Sequence, residues 1–203
     1  MSARENILKQ IAANKPPLRP SPELPSQPAD VERFVKIQKF TTVLESIGGK
    51  VHHVHDLEII KPVLANLLNK DHIVACLCAE IGRGNINIST AQTAITLEKI
   101  DTAIVAASYG IAENGSVWLY ESAFINRLLP FICQHLIIVL NADDLLSDMH
   151  EAYSIIQVNK EGFGLFLAGP SKTADIEQSL VIGAHGARTT TVYLIDRQIK
   201  TSK

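Results

Sequence analysis

Four short, largely apolar runs recur along the chain, with helical patterns between them. They occupy residues 73–77, 102–107, 136–140 and 190–195. A strand is apolar almost throughout when both faces of its sheet are covered, whereas a half-exposed strand alternates between apolar and polar residues. Strands of this kind separated by helices are typical of parallel sheets, because each parallel pair needs a long crossover connection. The pattern therefore predicts an α/β fold with a mostly parallel open sheet flanked by helices.

A proline-rich stretch separates a short N-terminal helix from this α/β body. Ser2 and Glu5 have the spacing of a capping box, and Ile7, Leu8 and Ile11 share one helical face. Six of the nine prolines follow between residues 16 and 28, and they predict an extended, semi-rigid linker. We therefore expect residues 1–29 to form a helix and linker, and residues 30–203 to form a single α/β domain.

Composition excludes several classes of function. The net charge of -2 gives no basic surface of the kind that nucleic acids require. No apolar run approaches the roughly 20 residues that span a bilayer, and the N-terminus lacks the apolar core of a signal peptide, so we expect a cytoplasmic protein. Cys76, Cys78 and Cys133 do not have the spacing of a zinc or iron–sulfur ligand set. We expect reduced thiols and no cofactor bound by this chain.

The glycine-bearing loop at residues 110–116 is the first candidate site. It follows one predicted strand, and Asn114-Gly115 between apolar runs is a strong turn signal. Glu113 in such a loop is a candidate base or nucleophile, although a carboxylate that caps the turn fits the spacing equally well. Gly115 and Ser116 are candidates for contacting an anionic ligand.

A second candidate site follows the predicted strand at residues 163–168. Gly169-Pro170 ends that strand, and Ser171 or Thr173 has the chemistry to cap a helix that would begin next. Free N–H groups at the start of this helix, with Lys172 beside them, would form a cradle for a carboxylate or phosphate. Asp175 would lie in the first turn of the helix and is a tentative catalytic residue. An ordinary strand-to-helix turn is the alternative interpretation.

The two loops are expected to face one another, since open α/β sheets bind ligands at the carboxyl ends of their strands. A third segment holds His185, a tentative base or proton donor, and Arg188, a candidate partner for an anion. This segment precedes the last strand. It therefore enters the sheet from the opposite end unless that strand runs antiparallel.

Three histidines at residues 52, 53 and 55 raise the question of a metal site. On a strand, His53 and His55 share a face and His52 points away. Only two of the three could converge, whereas zinc sites need three or four ligands. We therefore assign no metal ligands.

Three of these segments resemble the signatures of the LUD-domain family, also called the lactate-utilisation protein C family. The segments are Gly110-Ile111-Ala112-Glu113-Asn114-Gly115-Ser116, then Gly169-Pro170-Ser171-Lys172-Thr173-Ala174-Asp175-Ile176-Glu177, then Gly183-Ala184-His185-Gly186. The likeness covers about residues 30–196. Asn114 and Ser116 replace two threonines of the family pattern, and Ala187 stands where the family usually has proline.

The resemblance implies a fold like that of the glucosamine-phosphate isomerase, ribose-phosphate isomerase and CoA-transferase group. It also implies a part in the oxidation of L-lactate to pyruvate in bacteria, together with two iron–sulfur partner proteins. The clusters are then expected only in those partners, and this subunit would take a small hydroxy acid or another anion. The family implies no settled catalytic residue for this subunit.

Two further hypotheses stay open. Glu113-Asn114-Gly115 resembles the element in which some CoA-transferases place a nucleophilic glutamate, which would make the chain an acyl- or CoA-transferring enzyme. Alternatively, the chain is a non-catalytic assembly or regulatory module that docks through its N-terminal helix. The sequence also leaves open whether copies of the chain form a homo-oligomer.

Overall fold

The computed structural model describes residues 2–17, 19, 31–174, 180–183 and 186–196. Contacts divide the chain into two units, residues 1–30 and residues 31–203. The first unit contains helix α1, Ala3–Ala13. Its capping box is formed as predicted, because the Glu5 N–H donates to the Ser2 side chain and the Ser2 N–H donates to the Glu5 carboxylate. Most of the predicted linker lies outside the described residues.

The second unit contains five helices and eleven strands among its described residues. The helices are α2 (Arg33–Ser46), α3 (Lys61–Asn69), α4 (Ala94–Leu97), α5 (Leu129–Ile132) and α6 (Met149–Ile155). The strands are β1 (Lys50–Val54), β2 (Val74–Cys76), β3 (Thr102–Ala106), β4 (Tyr109–Ile111), β5 (Ser116–Tyr120), β6 (His135–Asn141), β7 (Leu145–Leu146), β8 (Gly164–Leu167), β9 (Lys172–Ala174), β10 (Leu180–Ile182) and β11 (Thr189–Ile195).

The main sheet has five strands in the order β1-β11-β6-β3-β2, and every neighbouring pair is parallel. Successive residues of the central strand β6 pack on opposite faces. Leu136 and Leu140 join the core that contains Phe40 of α2, whereas Ile137 joins the core that contains Leu64 of α3. Both faces are therefore covered, which explains the continuous apolar runs and confirms the predicted α/β fold.

A second sheet has the order β7-β4-β5-β8. β4 and β5 form an antiparallel hairpin, and β8 pairs antiparallel with β5. This sheet shares the core on the α2 side, since Val117 and Leu119 of β5 are buried with Phe40 and Leu44. Both predicted loops belong to this sheet and not to the main one, which decides where they lie.

The sequence pattern also predicts a helix opened by Ser89 or Thr90 and ending at about residue 99, and another from about residue 143 to residue 153. Both are wrong in extent. The helix expected from residue 89 or 90 to about residue 99 is reduced to α4, because side chains occupy the backbone groups before it. The Ser89 N–H donates to the Gln92 amide oxygen, and the Asn126 amide donates to the carbonyls of both residues. The helix expected from about residue 143, capped by Asn141, is replaced by a 3-10 turn, β7 and α6, and Asp148 caps α6.

No helix among the described residues is long and apolar enough to cross a membrane.

Candidate functional site

The segment after β8 forms a β-strand of an antiparallel pair and not a helix. Lys172 to Ala174 form β9, which pairs antiparallel with β10. The Ser171 N–H donates to the Ala187 carbonyl over 2.8 Å, and the Gly183 N–H donates to the Ser171 carbonyl over 2.9 Å. The predicted helix that would start at Ser171 or Thr173 is therefore wrong. An anion bound here would have to rely on side chains, because no helix N-terminus is present at residues 171–174.

The same two hydrogen bonds join the second and third signature segments. β11 runs parallel to β6, so residues 186–188, directly before β11, lie at the amino ends of the main-sheet strands, as the sequence indicated. The loop at Gly169 was expected at the opposite end and is found beside them. The reason is that β8 belongs to the second sheet, so the carboxyl-end rule for the main sheet does not apply to it.

The first signature segment lies next to the second. Val117 of β5 is opposite Leu167 of β8, so Ser116 and Ala168 follow side by side and the two glycine loops leave the sheet at the same end. Gly115 and Gly169 both have φ of +68°. Gly115 packs against α2, and Gly169 packs against the residue that follows α2. A Cβ at Gly115 would lie 2.8 Å from the Leu44 backbone nitrogen, and one at Gly169 would lie 3.1 Å from the Ile47 carbonyl oxygen.

Glu113 is engaged in a helix-capping contact. Its Oε2 accepts a hydrogen bond of 3.0 Å from the backbone N–H of Met149, the first residue of α6. A carboxylate at that position interacts favourably with the positive end of the helix dipole. The side chain is exposed on the surface. The neighbouring turn is closed by Asn114, whose Oδ1 accepts hydrogen bonds from the backbone N–H and the hydroxyl of the buried Ser116.

Lys172 and Arg188 place two exposed cations on either side of the Ser171 junction. The Lys172 Cε lies 3.8 Å from the position that a Cβ at Gly48 would take, next to the end of α2. The Arg188 side chain folds over Gly183, and its backbone N–H donates to the Gln134 carbonyl. Neither cation forms an ion pair with a described carboxylate.

The remaining predicted site residues divide into two groups. Thr173 is exposed on β9, opposite Val181 of β10. Asp175 and His185 lie outside the described residues, so their tentative catalytic roles stay predictions.

A charged network at the other end of the main sheet was missed by the sequence reasoning. Asp196, directly after β11, accepts hydrogen bonds from the Arg33 guanidinium at 2.7 Å and from His53 Nε2 at 2.8 Å. His55 Nδ1 lies 3.4 Å from the second Asp196 oxygen, and Arg33 also donates to Asp143 at 2.6 Å. The signal was available, because Asp196 and the histidines follow or end neighbouring parallel strands, whose carboxyl ends meet at one edge.

The predicted geometry of the histidines is confirmed. His53 and His55 turn to the same acceptor, while His52 lies against the Tyr193 ring at 5.1 Å between centroids. The described residues contain no group of three His, Cys, Asp or Glu side chains placed to hold a metal ion.

The network lowers the pKa of Asp196, chiefly through the hydrogen bond from Arg33 and then through that from His53. A carboxylate with a lowered pKa stabilises the fold above its unfolded pKa, and this stabilisation is lost as the pH falls through the folded value. We expect Asp196→Asn to lower the free energy of unfolding by about 0.5–1 kcal/mol near pH 7.

Urea denaturation of both proteins across a pH series tests this. The difference between them should shrink as the pH falls below about 4, the ordinary pKa of aspartate. A difference that persists or grows at low pH would contradict the assigned role of the Asp196 charge.

Burial raises the pKa of all three cysteine thiols. Cys133 is buried and Cys78 is half-buried, and burial raises the pKa of each thiol to about 12. Burial also raises the pKa of Cys76. These three thiols are therefore expected to stay protonated at neutral pH in the chain as described, whereas the thiolate is the form that attacks a substrate.

The chain is similar to known proteins in both sequence and structure. The family model described as LUD domain matches residues 84–195, more than half of the chain. Lactate utilization protein C of Bacillus pumilus is 28% identical over 118 residues, which are 55% of this chain and 49% of that protein. The protein of the same name from Anoxybacillus flavithermus is 28% identical over 152 residues, 74% of this chain and 65% of that protein.

The lengths differ, since the chain spans about half the length of most of the curated relatives that it matches. A crystal structure of a DUF162 family protein from Deinococcus radiodurans superposes with a TM-score of 0.59 at 18% identity. The superposition covers 82% of this chain and 99% of that chain. At this identity the likeness establishes a shared fold.

Proposed function

Because the chain belongs to the LUD domain family, we propose that it acts in bacterial lactate utilisation as a subunit without its own redox cluster. The observation that carries this proposal is the contact between the three signature segments, of which the first two also pack at the C-terminal end of α2. Ser171 is hydrogen-bonded to Gly183 and Ala187, and Gly115 and Gly169 both pack at the end of the same helix. Segments that converge in space are the pattern expected of a site shared by a family.

The ligand we propose is a small hydroxy acid, bound through its carboxylate by Lys172 and Arg188. Both cations are exposed beside the junction, and an arginine is well suited to hold a carboxylate with two parallel hydrogen bonds. Asp175 and His185 belong to the same two segments and are proposed to act on the bound acid. This site uses side-chain charge where the sequence had predicted a helix N-terminus.

The oxidation itself is assigned to partner proteins that carry iron–sulfur clusters. The positions of Cys76, Cys78 and Cys133 support this assignment, because their spacing is not that of an iron–sulfur ligand set. The native host provides the test: affinity purification followed by mass spectrometry should recover two iron–sulfur proteins, and deletion should abolish growth on lactate. Recovery of this chain alone, with normal growth on lactate after deletion, would contradict the proposal.

Removing either cation should weaken the binding of lactate about tenfold, the size expected for a lost charge-assisted hydrogen bond. The variants are Lys172→Met and Arg188→Met, and calorimetric titration of the assembled complex with lactate measures the effect. Lys70→Met is the matched control, since it removes an exposed cation from the end of α3. Equal affinity in all three variants would exclude this pair of cations as the carboxylate site.

A non-catalytic role in assembling the same system is the second candidate, and the contact of Glu113 with α6 favours it. The Gln side chain of Glu113→Gln keeps an oxygen that accepts the Met149 N–H, so we expect a loss of stability below about 1 kcal/mol. Growth on lactate should be retained. An essential nucleophile would instead lose activity completely in this variant, and an acyl-CoA substrate would leave a thioester at Glu113 that hydroxylamine traps.

A further inference from the structure

The two larger sheets have four edge strands among the described residues, and three of them carry a feature that prevents pairing with another strand. β1 presents Lys50 and the exposed His52 and His53. β2 is covered by Asn85, whose backbone N–H donates to the Val74 carbonyl and whose side-chain oxygen accepts the Val74 N–H. β7 is only two residues long. Edge protection is therefore the rule in this protein.

β8 lacks every one of these features. Residues 162–171 contain no charged side chain, and Leu165, Phe166 and Leu167 are half-buried. β5 pairs with one edge of β8, and no described residue pairs with the other. An apolar, uncharged edge of this kind is a template for a further strand.

The backbone groups that face this free edge can be identified. The Glu121 N–H donates to the Phe163 carbonyl, and antiparallel strands alternate between hydrogen-bonded and non-hydrogen-bonded pairs. Leu165 and Leu167 therefore bond to β5, while Gly164 and Phe166 direct their N–H and C=O groups outward. The hydrogen bond of the Trp118 carbonyl supports this assignment. That carbonyl accepts from the Ser108 N–H on the β4 side of β5, and not from Phe166, which lies opposite Trp118 on β8.

We propose that β8 pairs with β8 of a second copy of the chain, antiparallel about a two-fold axis. Glu161 precedes the uncharged run and Lys172 follows it. Antiparallel pairing brings the acidic end of one copy towards the basic end of the other, whereas parallel pairing would oppose like charges. The absence of charge between these ends lets the run face its own copy without repulsion, as a two-fold interface requires.

The pairing would join two four-stranded sheets into one of eight strands. Phe166, whose ring lies 4.6 Å from that of Trp118, would be near the axis and close to its counterpart. Main-chain hydrogen bonds would supply the affinity in this mode of association, and the side chains on either side would supply the specificity.

Light scattering coupled to gel filtration of the full chain tests the proposal. The mass should double from the 22.2 kDa of one chain as the concentration rises from low micromolar to several hundred micromolar. Ala168→Pro should return the protein to the monomer. The N–H of Ala168 points to the free edge, like those of Gly164 and Phe166, and proline removes it. Ala168→Ser keeps the N–H and should remain dimeric. A dimer that survives in Ala168→Pro would place the interface elsewhere and overturn the proposal.

Hydrogen exchange of the unmodified chain gives a measurement that needs no variant. The amides of Gly164 and Phe166 should be protected at high concentration and exchange freely at low concentration, while the edge amides of β1 should not change. A monomer at every concentration would overturn self-pairing. So would protection of these amides that develops only when a different protein binds, since the edge would then belong to that partner.

Discussion

Replacing Phe40 with alanine is expected to lower the free energy of unfolding by about 3–5 kcal/mol, the usual cost of deleting a fully buried phenylalanine. The side chain is completely inaccessible to solvent. It lies between α2 and both sheets, and its ring would be 3.3 Å from a Cβ at Gly110. Loss of the ring would leave a cavity where the helix, the main sheet and the small sheet meet.

Phe34 provides the matched control, because it is in the same helix and its exposed fraction is 72%. Phe34→Ala should change the stability by less than about 0.5 kcal/mol, as is usual for surface positions. Urea denaturation followed by circular dichroism measures both variants under the same conditions. Similar losses in the two variants would mean that α2 does not pack on the sheets through its Phe40 face.

The main sheet could be predicted from sequence because its strands carry the strongest local signal. Strands covered on both faces are apolar without interruption. Gly48-Gly49 is a helix-stop signal in the sequence, and α2 does end just before it, at Ser46 with Ile47 as its C-cap. Where a strand lies in the sheet is a different kind of information. The order β1-β11-β6-β3-β2 joins the first strand of the sheet to its last, and no local pattern in the sequence encodes that pairing.

Two of the helices that were predicted wrongly share one cause. Ser171 and Thr173 are good helix caps in isolation, but the Ser171 backbone is bonded to Gly183 and Ala187 instead. The Ser89 backbone is likewise bonded to side chains. Its N–H donates to Gln92, three positions later, and its carbonyl accepts from Asn126, far along the chain. Local propensity is a weak guide wherever tertiary hydrogen bonds compete for the same backbone groups.

The candidate site was predictable in its components and not in its arrangement. The sequence singled out the segments around Gly115, Gly169 and Gly183. The first two do meet at the C-terminal end of α2, and the third is joined to the second through Ser171. Their meeting place depends on β8 belonging to a second sheet, which a reading of strands and helices in order does not reveal. The Asp196 network was missed although its strand-end signal was present, because Asp196 is more than 100 residues from its partners Arg33 and His53.

The glycines of the first two signature segments have a structural role. Gly115 and Gly169 let two loops approach the α2 backbone more closely than a side chain would allow. Glu113 and Asn114 then hold the first loop, one through α6 and the other through Ser116. The ligand site proposed beside Ser171 would therefore rest on a scaffold that the family signatures themselves build.

Gly115→Ala is expected to cost about 2–4 kcal/mol of stability, because strain and overlap act together at this position. The φ of +68° lies in the left-handed region that disfavours a side chain. The new Cβ would also come within 2.8 Å of the Leu44 nitrogen and 3.0 Å of its Cα. Both atoms belong to the backbone in the last turn of α2, so neither moves without displacing the end of the helix.

Gly162→Ala separates the two contributions. Gly162 has φ of +76°, but a Cβ there would meet nothing within 4 Å. It should therefore show the conformational cost alone, about 1 kcal/mol. Thermal and urea denaturation of both variants give the comparison, and the excess loss in Gly115→Ala measures the overlap with α2. Equal losses would mean that the loop is free to move away from Leu44. The first signature segment would then not be fixed against α2.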